Sequence, residues 1–346
     1  MKNIPPGLFG LHKTNRDFTQ AETWGKNQFN SSFPADLCCF IASRNMQANY
    51  LAVSKGVLNP SLISIKDVFG IDADDKDAYF AFESQHTPYQ KFVVGSLPRT
   101  DLVIQRESTG ECLSGLEVKL TALPDNTTCD LEERFYGSEI VVRPDTIVYL
   151  ACSIAAGLSE KLGDILPTIK IKDWSQASLV LKKIGCIVNA IESLSVALEE
   201  DQNAFLLQPI WKTIGKSPEL AENCLDIFVW SDAGFSNFIS SIANKNTDAN
   251  SVTRQTRTAI WLYKMLSDIK DDKKFNHQKI IDSLSYNTKN DKAFAVAGNV
   301  TNKYMFCQRL VLLFYSEIGQ AESGWNPDKN RENRLFWMYT IGKRWE

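Results

Sequence analysis

The chain has 346 residues, 44% of them hydrophobic and 23% charged, with a formal net charge of −3. A chain of this length buries a sizeable core, as one large or two modest domains, and its composition is that of a globular protein rather than a disordered one. The slight acidity counts against a general nucleic-acid coat, which depends on neutralising phosphate, but leaves room for a sequence-specific enzyme with a local basic cleft.

The opening segment MKNIPPGLFG has two adjacent prolines and no apolar signal core. The longest lipid-like run, Ile147 to Leu158, is 12 residues and too short to span a bilayer. These features set the expectation of a cytoplasmic protein without membrane contact. The eight cysteines form no CxxC pair, and the three histidines form no spaced set with them, so no zinc site is expected. There is no GxxxxGK[ST] to hold ATP and no Gly-x-Ser-x-Gly for a serine hydrolase.

Along the chain, Thr14 to Asp17 offer caps for a short helix over Phe18 to Trp24, followed by a polar loop, NQFNSSFP, and an apolar element from Pro34 to Ile41. Residues 78 to 150 read as strands, at Tyr79–Phe82, Phe92–Val94, Leu102–Ile104, Leu116–Leu120 and Ile140–Val142, with turn material between them. From Thr146 to Lys161 and from Ala177 to Glu199 the apolar spacing is helical. LDIFVW at Leu225 to Trp230 is extended, and helices follow over Phe235–Ala243, Thr253–Ile269 and Tyr304–Ile318. This order describes a mixed β-sheet flanked by helices over residues 1–165, with a largely helical part over 166–346, possible as one core or two closely joined.

Chemistry concentrates in LPRTDLVIQRESTGECLSGLEVKLTALP, residues 97–124. It reads as a β-hairpin, Asp101–Arg106 then Leu113–Thr121, turning near Thr109-Gly110. Strand alternation puts Gly115, Glu117, Lys119 and Thr121 on one face, and Leu116, Val118 and Leu120 on the core face. Antiparallel pairing about that turn sets Asp101 opposite Glu117 or Lys119, so two carboxylates and an ammonium converge. Two hard carboxylates can hold a Mg²⁺, with the Val118 carbonyl as a further ligand. Lys119 is placed to position or deprotonate an attacking water and to stabilise developing charge. The bland alternative is a surface hairpin with two solvated residues.

This constellation resembles the PD-(D/E)xK nuclease motif, with Asp101 as first acid and Glu117-Val118-Lys119 as ExK; Thr100 stands where the motif's name has proline. Four phrases, WGKNQFNSSFP at 24–34, LEVKLTALPD at 116–125, QPIWKT at 208–213 and FVWSD at 228–232, resemble the HindVP family of type II restriction endonucleases. The resemblance implies a restriction-endonuclease-like α/β core, Mg²⁺, and cleavage of double-stranded DNA at a short, degenerate, GC-rich palindrome of the GRCGYC kind. Such a palindrome suits a two-fold homodimer. Glu22, on the first helix, is either a further catalytic acid or a solvated residue. Lys26, Asn27, Gln28 and Asn30, the Trp230-Ser231-Asp232 corner, and Arg254 and Arg257 are candidate groove or phosphate contacts, although Asp232 also suits a helix cap. Two other readings stand beside this one: a non-catalytic DNA-binding protein with a degenerate nuclease fold, and a nuclease without sequence preference.

Overall fold

A computed structural model describes residues 47–72, 75–118, 144–198, 204–209, 211–214, 217–220, 227–243, 245 and 252–286. The expected helix at 18–24, the element at 34–41, the strand at 140–142 and the helix at 304–318 lie outside the described residues.

Two strands, β1 (Gln47–Ser54) and β2 (Val57–Ser64), form a hairpin paired from Gln47↔Ser64 to Ser54↔Val57. Lys55 and Gly56 close it with φ of 54° and 72°, the doubly left-handed turn whose twist matches that of the flanking strands. The sequence reading does not anticipate this hairpin. Tyr50, Leu51 and Val53 are all buried, so the strand is covered on both faces and lacks the alternation that marks a half-buried one.

The strands β3 (Ala78–Ser84), β4 (Thr100–Arg106) and β5 (Cys112–Val118) run as an antiparallel meander. β6 (Ala204–Pro209) then lies parallel to β5, with Glu117↔Leu206 and Val118↔Leu207 in register. β9 (Ile227–Ser231) lies parallel to β1, and the seven strands are ordered β2-β1-β9-β6-β5-β4-β3. Parallel neighbours require a crossover, which helices between β5 and β6 supply.

A short helix, α1 (Ile65–Phe69), precedes β3, and the crossover helices are α2 (Pro144–Leu158), α3 (Leu162–Ile165), α4 (Ala177–Leu181) and α5 (Ile184–Ala197). In α2 every residue from Thr146 to Ala155 is buried, so it is a central helix enclosed all round rather than the one-sided amphipathic helix its spacing suggests. The helix expected over 177–199 is two, jointed at the exposed pair Lys182 and Lys183, where Lys183 N donates back to Val180 O at 2.8 Å. The strand expected at Phe92–Val94 is instead the end of a 3₁₀ helix, Thr87–Phe92, entered through Pro88; extended pairing survives only at Val93, against Phe275.

After β9 come α6 (Asp232–Ile242), α7 (Arg254–Asp272, capped by Thr253) and α8 (His277–Ser283). α6 and α7 pack on α5, and α2 packs on α7. Two compact units divide the chain. One takes residues 1–119, 142–208 and 228–290 and holds nearly all of the above; the other takes 120–141, 209–227 and 291–346. The second unit's described part is an antiparallel hairpin of β7 (Trp211–Ile214) and β8 (Ser217–Leu220).

The β9–α6 corner locks the far side of the sheet. Ser231 Oγ donates to Leu51 O at 3.0 Å and accepts from Gly234 N at 2.9 Å, capping α6 while tying it to β1. A Cβ at Gly234 would lie 2.3 Å from Leu51 O, a backbone atom. Ala ordinarily improves a helix by about 0.5–1 kcal/mol over Gly. Here the clash reverses that sign, and Gly234→Ala is expected to lose roughly 1–3 kcal/mol in urea unfolding; a variant more stable than the parent would show that the close approach does not exist.

Candidate active site

The β4–β5 hairpin turns through residues 107–111. Gly110, at φ 71°, donates to Arg106 O at 2.8 Å, and Arg106 N donates to Glu111 O at 2.9 Å. A bulge after Ile104 absorbs one residue, and the pairs then run Ile104↔Ser114, Val103↔Gly115 and Leu102↔Leu116. The pairing ends at Leu102↔Leu116; the same register carried one step further would set Asp101 opposite Glu117, one of the two arrangements that the sequence leaves open. Directly opposed residues share a face, with Cα atoms about 4.5–5.5 Å apart. Lys119 lies one residue beyond the described end of β5, and Val118, whose carbonyl is the third candidate ligand, is in register with Leu207.

The Glu117 face is not the open surface that simple alternation suggests. Leu116 is fully buried on one side, and Glu117 retains only 5% of its exposure on the other. The cover over Glu117 is the first turn of α2. Thr146 Oγ1 lies 3.4 Å from Glu117 Oε1, and Thr100 Oγ1 lies 3.1 Å from Glu117 Oε2 and 3.0 Å from Leu116 O. Hydroxyl donors offset part of the several kcal/mol that stripping water from a carboxylate costs, and a helix N-terminus adds a favourable field. Asp101 is half-buried at the mouth of this arrangement.

His86 packs on the same face two positions along. Its Cβ, Cγ and Nδ1 lie 3.2, 3.3 and 3.4 Å from where a Gly115 side chain would begin, so glycine is what lets the ring reach the strand. The ring meets Tyr89 edge-on at 4.5 Å, and His86 N lies 3.2 Å from Tyr149 Oη, which donates to Pro98 O at 2.8 Å. Burial pushes the imidazole down to about 4 and the Tyr149 phenol up, Glu117 adding to the latter in a smaller way. His86 Nδ1 is buried without a hydrogen-bond partner.

The sequence assigns no site role to Thr100, Thr146, His86 or Tyr149. One signal for them existed: a glycine inside a strand, two residues before the acid, marks a close approach.

Other candidates fall differently. Trp230 is fully buried against Phe235 and Phe238, at 5.8 and 5.2 Å between ring centres. Asp232 is buried too, and its Oδ2 accepts from Ser153 Oγ at 2.6 Å; Ser231, not Asp232, caps the helix. The Arg257 guanidinium lies over the Trp261 ring at 4.5 Å, inside the core. These three residues therefore hold the interior together, and the expectation that they meet DNA is corrected. The Arg254 side chain and Glu22, Lys26, Asn27, Gln28 and Asn30 lie outside the described residues.

Among the described residues no group of three or more His, Cys, Asp or Glu side chains could hold a metal ion. The Asp101–Glu117 pair supplies hard carboxylate oxygens and no thiolate or imidazole. That set fits Mg²⁺, which takes one or two carboxylates and completes its shell with water and phosphate oxygens.

The comparisons with known proteins identify first a class. Over 339 residues, covering 96% of this chain and 92% of the other, it is 50% identical to a Haemophilus influenzae protein named "Probable type II restriction enzyme HindVP". Over 305 residues, 87% of this chain and 85% of the other, it is 42% identical to "Type II restriction enzyme HgiDI" of Herpetosiphon aurantiacus. Type II restriction enzymes are site-specific deoxyribonucleases that act on double-stranded DNA. The family model for HindVP restriction endonuclease matches residues 24–313, and the chain belongs to that family. No solved structure matches it. Among the described residues no helix is long and apolar enough to cross a membrane.

His86 gives this site a pH signature. Its folded value of about 4 lies below the ordinary 6.5, so unfolding takes up a proton between those limits. Stability is fully present above pH 6.5 and falls as pH drops towards 4, by on the order of 1–3 kcal/mol from this group. Urea midpoints measured from pH 7 to pH 4 should show that fall, and His86→Gln should flatten it. An equal slope in parent and variant would mean that His86 is not buried neutral.

Proposed function

We propose that this protein makes Mg²⁺-dependent double-strand cuts at a short, partly degenerate, GC-rich palindrome of the GRCGYC kind, using a PD-(D/E)xK site of Asp101, Glu117 and Lys119. The observation that carries this reading is the β4–β5 pairing as far as Leu102↔Leu116, whose continuation would bring Asp101 next to Glu117, in a chain of a restriction endonuclease family. The antiparallel β3–β5 meander, followed by a helical crossover to the parallel β6, supports the nuclease-core assignment.

Asp101 and Glu117 would hold the cation, with the Val118 carbonyl as a further donor. A bound Mg²⁺ supplies neutralisation of the charge that builds on the phosphate oxygens and acidifies a coordinated water. Lys119, two residues after Glu117 in the sequence, would orient the attacking water or take its proton and stabilise the developing charge. Thr100 and Thr146 fix the Glu117 carboxylate, so its orientation is set before DNA arrives. The Asp101–Glu117 pair sits between β3 and β6, on a sheet interior rather than a loop, which favours a rigid site.

A palindromic target calls for two copies related by a two-fold axis, each cutting one strand, so the active form is a homodimer. Lys26, Asn27, Gln28, Asn30 and Arg254 are assigned to groove or phosphate contact. Residues 166–346, part of which is continuous with the core sheet through β6 and β9, are assigned to DNA recognition or dimerisation or both, and Glu22 to a further acid for the site.

The test uses purified protein and long unmethylated DNA with Mg²⁺, with EDTA, and with Lys119→Ala, Asp101→Asn or Glu117→Gln in place of the parent. Discrete fragments should form with the parent and Mg²⁺ alone, each variant losing on the order of a hundredfold or more in rate. A smear would instead indicate a nuclease without sequence preference. Intact DNA throughout would sink the catalytic reading in favour of a DNA-binding protein.

A further inference from the structure

Beside Asp101 the sheet opens into a polar cleft of about 730 Å³, lined by residues 82–85 and 96–99. The cause is a break in the β3–β4 ladder. Phe82↔Leu102 and Ser84↔Thr100 are paired, but Glu83, which the register would set against Asp101, adopts a left-handed φ of 46° and drops out. A non-glycine residue in that region carries strain, and such strain collects at functional sites. Pairing resumes at Ser84↔Thr100, so the irregularity is confined to the position that faces Asp101.

The opposite wall is pinned. Gln85 Nε2 donates to Ser96 Oγ at 3.0 Å and to Leu97 O. Gln90 donates to Gly95 O at 2.8 Å and accepts from Leu97 N at 3.1 Å, while Tyr149 Oη holds Pro98 O. Leu97 is itself buried as an anchor. Arg99, which follows Pro98, is exposed on the cleft and has no ion-pair or hydrogen-bond partner among the described residues. It precedes Thr100, the residue that holds Glu117, and stands two residues from Asp101.

We propose that this cleft carries the phosphodiester backbone of the cleaved strand next to the scissile phosphate, with Arg99 as its phosphate contact. The proposal rests on the nuclease reading above and adds a substrate-binding residue to it. Three features favour a strand over a small ligand. The cleft is open rather than enclosed, its exposed lining is mostly polar although Phe82, Leu97 and Pro98 contribute to it, and Arg99 in that lining is two residues from Asp101. A guanidinium matches a phosphate through paired N–H donors, and a pinned backbone spares the ordering that a mobile loop would lose on binding. Glu83, the acid in the lining, comes from the β3 side and Arg99 from the β4 side, which places the phosphate nearer the latter.

The experiment measures binding of full-length protein in EDTA, where no strand is cut, to two short unmethylated duplexes, one containing GRCGYC and one without it, over a range of salt. Arg99→Gln should weaken binding to both by a similar factor, about three- to tenfold, and reduce the salt slope by about one. Arg99→Lys should restore the slope and part of the affinity. Lys55→Gln, at the tip of the β1–β2 hairpin on the far edge of the sheet, should change neither. An Arg99→Gln protein with parental affinity and slope overturns the proposal, as does an equal loss in Lys55→Gln, which would show only a net-charge effect. The two readings fail separately. A parent that cuts DNA into discrete fragments beside an unaffected Arg99→Gln removes the cleft contact alone. A parent that binds neither duplex and also leaves DNA intact with Mg²⁺ removes the cleft contact and the nuclease reading together.

Discussion

Everything chemical in this structure depends on the register of one antiparallel hairpin. Side chains alternate along β5 with a period of two, so a slip of one residue against β4 would send Asp101 and Glu117 to opposite faces of the sheet. The register is held at its closed end, where Gly110 takes the left-handed conformation that lets Arg106 and Glu111 pair. The bulge between Ile104 and Gln105 then fixes the phase of everything beyond it, including the two acids at the open end. On the outer side of the same turn, Asp77 accepts from Ser108 N at 2.9 Å and Ser108 Oγ at 2.7 Å, while Asp75 pairs with Arg106. The Arg106 guanidinium in turn holds the Asp75 carboxyl below the usual carboxylate range. Turn chemistry far from the acids therefore decides whether they meet.

The second constraint is burial. β5 lies between β4 and β6, and α2 covers its Glu117 face, so the carboxylate is enclosed by the same packing that stabilises the sheet. A carboxylate in that setting must be compensated, and it is, by hydroxyls from β4 and α2 and by the first turn of α2. The same enclosure explains His86. A ring pressed on Gly115 under Tyr149 is desolvated and stays neutral, so the face around Glu117 carries no competing cation from that side. In the proposed site Asp101 is half-buried, while the Glu117 carboxylate is held by hydroxyls.

The parts of the fold that were legible in the sequence are those in which local chemistry and tertiary context agree. The β4–β5 hairpin has a Thr-Gly turn and a clean alternation, and α7 has a Thr253 cap followed by a helical apolar spacing. The parts that were not legible follow from long-range contacts. β1 is buried on both faces by partners 180 residues away, such as Ser231 on Leu51 O, and this removes its periodicity. The hydroxyls on Glu117 come from 17 and 29 residues away, with nothing local to announce them. Trp230, Asp232 and Arg257 show why polar and aromatic side chains mislead. A buried Asp satisfied by Ser153, or an Arg stacked on Trp261, has the same letter as a groove contact. Only packing separates the two.

The chain's mild acidity also takes on a definite meaning. With a net charge of −3 the protein has no broad positive field to hold DNA, so binding must come from individually placed contacts. Placed contacts favour discrimination, because phosphate groups that fix position add affinity only when the base-reading groups are in register with them. The pinned segment 95–98 has the property such a contact requires: Gln85, Gln90 and Tyr149 hold the backbone from three directions, so Arg99 projects from a fixed point. Because Thr100 and Asp101 follow directly, a phosphate gripped there would bring its neighbour to the acids without any closing motion.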